Sequence, residues 1–235
     1  MSKLEIGMVL IAVAILPMTA MGKALTLANI FSITTMGIRI PYLETKIGPA
    51  KRVTRWRRDE EWRDYEVGSC QFTVIANDKA VNSLEVPLNG KCPIDLNTLL
   101  QTKDIPAHPT FGQIESAAHV TDTGKVYSDC LSNCGNASDP SLYLEWQGPH
   151  SNLFVEIMLQ AKMVNADAIE AALKLTSIIA KDAHVQDFQT TDFLNCSKAY
   201  DYEARRLMRN VKVTSVQFGY DIVDPYLLNS CRSAR

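Results

Sequence analysis

The sequence has no tract rich in glycine or proline, no internal repeat and no excess of charge of one sign. Its 235 residues include 11 Gly and 10 Pro, and the formal net charge is -2. This composition excludes collagen-like and low-complexity chains, and a hydrophobic content of 46% argues against disorder outside the termini. Nucleic-acid-binding domains usually carry a basic stripe, so the balanced charge predicts no nucleic-acid partner.

Short motifs that carry catalytic chemistry are also missing. The sequence contains no G-x-S-x-G, no phosphate-binding loop, no G-x-G-x-x-G and no H-E-x-x-H. It has no C-x-x-C pair, which excludes a thioredoxin-type redox site. The nearest thing to a catalytic constellation is His119, Asp122, Asp129 and Cys130, which are close only along the chain. We therefore predict no cofactor, no metal site and a function other than catalysis.

An apolar segment opens the chain. Residues 6–22 carry no charge, and about 20 apolar residues suffice to span a bilayer. We predict that residues 1–40 are a membrane anchor or signal segment and favour an uncleaved anchor. The alternatives are a signal peptide cleaved near Gly22 and a helical hairpin whose second arm is 24–40.

A charged connector, residues 41–66, follows this segment. Basic side chains next to a membrane segment are attracted to anionic headgroups by about 1 kcal/mol each, and a solvated linker is the alternative. Opposite charges at i,i+4 spacing, such as Arg55–Asp59, favour a helix here. The residues predicted to contact the membrane surface are Lys51, Arg52, Arg55, Arg57 and Arg58.

Six cysteines all lie beyond the apolar segment, and their even number predicts disulfides formed in an oxidising compartment. Their places along the chain suggest three pairs, Cys70–Cys92, Cys130–Cys134 and Cys196–Cys231. Two alternatives remain: reduced thiols, and a zinc site using the closely spaced Cys130 and Cys134. The basic connector favours a cytoplasmic domain by the positive-inside rule, whereas disulfides favour an extracytoplasmic one, and we give the cysteines more weight.

Residues 67–235 show the pattern of an α+β domain, with helices covering one face of a mostly antiparallel sheet. Alternating apolar residues predict a hairpin over 71–88, a second hairpin over 142–163 and a last strand over 216–222. A helix capped by Asn165 follows the second hairpin, and its predicted buried stripe includes Ile169, Leu173 and Ile179. A further helix is predicted over 193–210, with Cys196 facing the core.

Together these features predict a membrane-anchored extracytoplasmic domain. We expect it to act by binding or assembly in the cell envelope, with membrane lipid at its N-terminal segment and a protein as its partner. Two alternatives differ in class. One is a secreted or anchored enzyme with an unrecognised site, and the other is a membrane protein whose domain faces the cytoplasm with reduced cysteines.

Overall fold

The structure is a computed structural model. It describes residues 26–56, 59–120, 124–132, 134–135, 140–147, 155–228 and 231. The eight strands are β1 (Arg52–Arg55), β2 (Glu60–Val67), β3 (Cys70–Asn77), β4 (Ala80–Pro87), β5 (Lys125–Ser128), β6 (Ser141–Gln147), β7 (Glu156–Lys162) and β8 (Ser215–Gly219). The α-helices are α1 (Leu27–Ile30), α2 (Ile40–Ile47), α3 (Leu96–Leu99), α4 (Phe111–Ala118), α5 (Ala166–Ala183), α6 (Thr190–Cys196) and α7 (Asp201–Met208). Short 3-10 helices span Ile33–Thr35, Asp187–Gln189 and Pro225–Leu228.

All eight strands form one antiparallel sheet in the order β1-β2-β3-β4-β8-β7-β6-β5. The last strand therefore lies in the middle, where β8 joins the hairpins of the N-terminal half to those of the C-terminal half. Both predicted hairpins are present, with Val74 opposite Leu84 in the first and Leu144 opposite Leu159 in the second.

One face of the sheet and the helices form the hydrophobic core. Leu84, Leu144, Ile157 and Phe218 are fully buried on this face, and the helices cover them with residues such as Ala168, Leu175, Leu194 and Met208. The prediction of an α+β fold is confirmed.

The fold includes part of the apolar N-terminal segment. Ile30 and Phe31 belong to the hydrophobic core, and the Phe31 ring packs edge-on against Phe72 at 5.1 Å between ring centroids. Residues 26–40 are thus packed in the domain, while the apolar run 6–22 lies outside the described residues. None of the helices in the described part of the chain has the length and apolar composition of a bilayer span.

The charged centre of the connector forms β1 and β2 where its i,i+4 charge spacing predicted a helix, so that prediction is wrong. In the β1–β2 hairpin the same residue types pair across strands: Arg52 binds Asp64 at 2.7 Å, and Arg55 contacts Glu61 at 3.4 Å. An antiparallel pair places opposite residues side by side, so alternating charges satisfy a hairpin as well as a helix.

Two helical predictions also need correction. On α5 the buried residues are Ala168, Ala171, Ala172, Leu175, Thr176 and Ile179. Ile169 and Leu173 are exposed instead of buried. The helix predicted over 193–210 is broken into α6 and α7, and Cys196, predicted to face inward, is exposed at the end of α6.

The two edges of the sheet differ. At β5 the backbone groups are capped by side chains, because Asn195 bonds both the N–H and the C=O of Ser128, and Asp201 accepts from the N–H of Val126. At the opposite edge, all four residues of β1 are exposed. Side chains thus satisfy backbone groups at the β5 edge. The β1 strand is short and carries two arginines, and both features commonly protect a free sheet edge from pairing with another chain.

Candidate functional site

The sheet face opposite the helices, here called the open face, carries polar side chains in its middle. Ser83 on β4, Ser215 and Gln217 on β8, and Gln160 on β7 alternate with core residues along their strands, so they point away from the helices. All four are nevertheless buried. A polar residue in this position of an ordinary two-layer domain would face solvent.

These four side chains form a hydrogen-bonded row across three strands. The Gln217 amide nitrogen donates to the Ser83 hydroxyl at 3.2 Å, the Gln160 amide donates to Gln217 at 3.5 Å, and the Ser215 hydroxyl donates to Gln160 at 3.0 Å. Burying amides and hydroxyls is costly unless they are hydrogen-bonded, and the row satisfies most of that requirement. Each amide nitrogen has two hydrogens, so the row retains donor capacity on this face.

Above this floor lies a groove. A cavity of about 690 Å³ extends over β2, β3, β4, β8, β7 and β6, with Trp62, Ile75, Tyr143 and Met158 among its walls. A second cavity of about 620 Å³ lies towards β1. Glu85 and Lys162 line both cavities, so the two form one groove along the open face.

The C-terminal segment, residues 221–228, forms one wall of the groove. Asp221, Ile222, Val223, Asp224 and Leu227 line the larger cavity. The backbone N–H of Ile222 donates to the Glu156 carboxylate at 2.8 Å, and Ile222 and Leu227 are buried. This wall encloses one side of the larger cavity.

A glycine lets β8 pass close to β4 at the upper end of the groove. Gly219 has a φ of 152°, and a Cβ atom there would lie 2.3 Å from the Asn82 carbonyl oxygen. Gly219 pairs with Ser83 on one side and Glu156 on the other. Any larger residue would separate the two strands that join the halves of the groove.

Carboxyl groups on the open face are partly desolvated. Burial raises the pKa of Glu85, an effect that Lys162 and the hydroxyl of Ser215 oppose. Burial also raises the pKa of Asp129, which accepts a hydrogen bond from the Tyr143 hydroxyl at 2.6 Å. Burial, reinforced by the nearby charge of Glu156, raises the pKa of Glu145 to about 7.

A buried ion pair lies at the β5 edge, away from the groove. The Lys125 ammonium contacts Asp201 at 3.2 Å and donates to the carbonyls of Val126, Leu194 and Ser197. Burial lowers the pKa of Lys125, while Asp201 opposes the effect. The Lys125 ammonium therefore donates to groups at the end of α6 and at the start of α7, so it links the two helices at their junction.

The structure contains the three predicted disulfides, Cys70–Cys92, Cys130–Cys134 and Cys196–Cys231. Among the described cysteines none is free, and the described residues hold no group of three or more ligands suited to a metal ion. Because Cys130 is bonded to Cys134, a Cys130 thiolate is not available as a nucleophile beside His119. The disulfides are consistent with an extracytoplasmic domain.

The predicted membrane-contact residues are only partly described. Lys51, Arg52 and Arg55 lie exposed at the β1 edge, whereas Arg57 and Arg58 lie outside the described residues. Lys51 and Arg52 also line the smaller cavity. Lipid contact by these residues stays a prediction.

Sequence reasoning missed the groove residues. Ser83, Glu85, Gln160, Ser215 and Gln217 occupy the polar positions of alternating strands, which the sequence pattern assigns to solvent. The only local signal was the presence of glutamines, Gln160 on β7 and Gln217 on β8. Glutamine is equally common on a solvent-exposed sheet face, so it does not indicate a groove.

No family model and no curated protein sequence matches the chain. Among solved structures, the chain is similar to a cysteine-rich secretory protein from Staphylococcus aureus subsp. aureus Mu50, at 12% identity and a TM-score of 0.36. The match covers 79% of this chain and 43% of the other.

Proposed function

We propose that the protein is a disulfide-stabilised extracytoplasmic domain, tethered to a membrane by its apolar run 6–22, that binds a partner in the groove of the open face. The charge-free run 6–22 and the three disulfides support the location. No catalytic motif in the sequence supports an enzyme.

The observation that best supports a binding role is the row of buried, hydrogen-bonded polar side chains at the base of the groove. A sheet with one solvated face gains nothing from the burial of its glutamines and serines, because those groups lose hydration. Binding sites commonly combine a largely preformed concavity with a few fixed polar groups and aromatic walls. The groove has these features in the row from Ser83 to Ser215 and in Trp62 and Tyr143.

The shape of the groove suits an extended occupant. It passes over six strands and has carboxylates, amides and hydroxyls along its floor and rim. A protein segment in an extended conformation would present polar backbone groups along its whole length, matching these side chains. We therefore propose a protein partner in the cell envelope. The basic residues Lys51, Arg52 and Arg55, with Arg57 and Arg58, would face anionic lipid beside the anchor.

Native mass spectrometry of the full chain tests both parts of the proposal. Membranes washed at high salt should retain the protein, since an apolar anchor is insensitive to ionic strength, and mild detergent should then release it carrying added mass. Trp62→Arg, at the half-buried groove rim, should lose that added mass. The matched control Leu173→Arg, exposed on the opposite face of the domain, should retain it. Recovery of the full chain in the salt wash would contradict the tether, and equal added mass in both variants would contradict the groove.

A further inference from the structure

The C-terminal wall of the groove is joined to the fold at both ends. At its start, Tyr220 and Asn82 exchange hydrogen bonds, and the Ile222 N–H donates to Glu156. At its other end, the 3-10 helix Pro225–Leu228 packs against α6. The wall therefore passes from the open face to the helical layer on the other side of the sheet.

A disulfide closes this path. Cys231 bonds to Cys196, the last residue of α6, across a sequence separation of 35 residues. Besides that bond, the contacts of the groove wall include the Ile222–Glu156 hydrogen bond, the buried side chains of Ile222 and Leu227, and the packing of its 3-10 helix against α6. A segment outside the strands of the sheet and held by contacts of this kind belongs to the part of a fold that opens most readily.

The three disulfides differ in their access to a reductant. Cys196 is exposed, and Cys130, Cys134 and Cys231 are half-buried, whereas Cys70 is 1% exposed and Cys92 7%. Thiol–disulfide exchange requires a thiolate to reach a sulfur atom. The bond at the groove wall is therefore open to attack under conditions in which the Cys70–Cys92 bond is shielded by the core.

We propose that the Cys196–Cys231 disulfide is a redox-sensitive latch on the groove. A dithiol reductant transfers two electrons and two protons to this bond, giving two thiols and the cyclic disulfide of the reductant. The wall, residues 221–228, then leaves the open face while the sheet and helices stay folded. This inference rests on the proposed role of the groove in binding and describes how that role is regulated.

Hydrogen exchange of the full chain in detergent tests the latch without any ligand. In the double variant Cys196→Ser/Cys231→Ser, amides of residues 221–228 should exchange at least tenfold faster than in the native protein. Amides of β3 and β4 should be unchanged. The matched control Cys130→Ser/Cys134→Ser, which removes a ring of separation 4, should leave residues 221–228 as protected as in the native protein. Should the double variant fail to fold, dithiothreitol treatment of the folded Cys130→Ser/Cys134→Ser variant provides the same comparison, because only the Cys196–Cys231 bond is then both present and exposed.

Two results would overturn the proposal. In one, residues 221–228 remain protected after loss of the Cys196–Cys231 bond. In the other, β3 and β4 lose protection together with the wall, which would make the bond a global staple. Neither result bears on whether a partner occupies the groove, and absence of a bound partner would not alter the exchange rates. Failure of the latch and failure of the binding role are therefore distinguishable.

Discussion

Small side chains form much of the buried face of α5. Ala168, Ala171 and Ala172 lie against the core together with Leu175 and Ile179, while Ile169 and Leu173 face outward. The distance between packed elements depends on the side chains at the contact, so an alanine-rich face allows α5 to approach its neighbours closely. A prediction based on hydrophobicity alone favours the larger Ile169 and Leu173 over alanines. The predicted buried face of α5 is therefore rotated about the helix axis relative to the observed one.

This arrangement predicts a clear contrast between variants. Ile157→Ala and Leu175→Ala should each lower the free energy of unfolding by about 2–5 kcal/mol, because both side chains are almost fully buried. Leu173→Ala, which truncates a side chain 55% exposed, should cost about 0.5 kcal/mol. Denaturant unfolding of the three variants measures this. A loss for Leu173→Ala as large as that for Leu175→Ala would mean that α5 is rotated about its axis.

Glu145 makes the stability of the domain depend on pH. Its pKa is raised from 4.5 to about 7 by burial and by Glu156, against the opposing charges of Lys198 and Lys125. A carboxyl group with a raised pKa in the folded state binds its proton more tightly there than in the unfolded state. Its contribution therefore becomes less favourable as pH rises from about 4.5 to 7 and is constant above that range.

Glu145→Gln removes this titration. Relative to the native protein, the variant should gain stability between about pH 4.5 and pH 7 and keep a constant advantage above pH 7, as measured by unfolding in denaturant at each pH. Glu170→Gln, at a fully exposed carboxylate on α5, is the control and should show no such gain. A constant difference between native and Glu145→Gln proteins across this range would show that Glu145 is not desolvated.

Elements with strong local signals could be predicted from sequence. The β6–β7 hairpin follows from strict alternation, and the start of α5 follows from Asn165, whose side chain accepts from the N–H of Ala168. The β1–β2 hairpin could not, since its alternating charges suit a helix equally well. Its strand conformation depends on pairing with β3, where Trp62 lies opposite Ile75.

The break between α6 and α7 shows a tertiary contact overriding local pattern. The Lys125 ammonium donates to the carbonyls of Leu194 and Ser197, near the end of α6. Those carbonyls would otherwise bond to amides in the next helical turn. A lysine some 70 residues away in sequence is not visible to a periodicity argument, so the two helices were predicted as one.

Asn195 gives a direct test of how α6 seals the β5 edge. Asn195→Ala leaves the buried N–H and C=O of Ser128 without these side-chain partners. An unsatisfied buried backbone group costs about 1–3 kcal/mol, and we expect a loss of stability in that range from thermal melts. Asp192→Ala, exposed on the same helix, should change little. Equal melting temperatures for Asn195→Ala and the native protein would show that the edge is hydrated instead.

At the scale of the whole molecule, the groove depends on strand order. Ser83, Gln160 and Gln217 become neighbours only because β8 inserts between β4 and β7, and Gln217 is 134 residues from Ser83 along the chain. No local pattern in the sequence encodes such strand pairing. The sequence therefore predicted a sheet covered by helices, but not the hydrogen-bonded row of polar side chains at the base of the groove. Six cysteines allow 15 pairings and the sequence does not fix which one forms; the suggested pairs agree with the structure because each bond joins cysteines adjacent in the order of the chain.

The central claim is that a partner occupies the groove of the open face, and photo-crosslinking tests it most directly. The photoreactive amino acid p-benzoylphenylalanine would replace Trp62 at the groove rim or, as the control, Leu173 on the exposed face of α5. Both variants would be expressed in the cells that make the protein, irradiated and analysed for covalent adducts. The account predicts one discrete adduct from position 62, abolished by Thr73→Trp in the same groove, and none from position 173. Adducts of equal yield at both positions, or none at position 62, would contradict it.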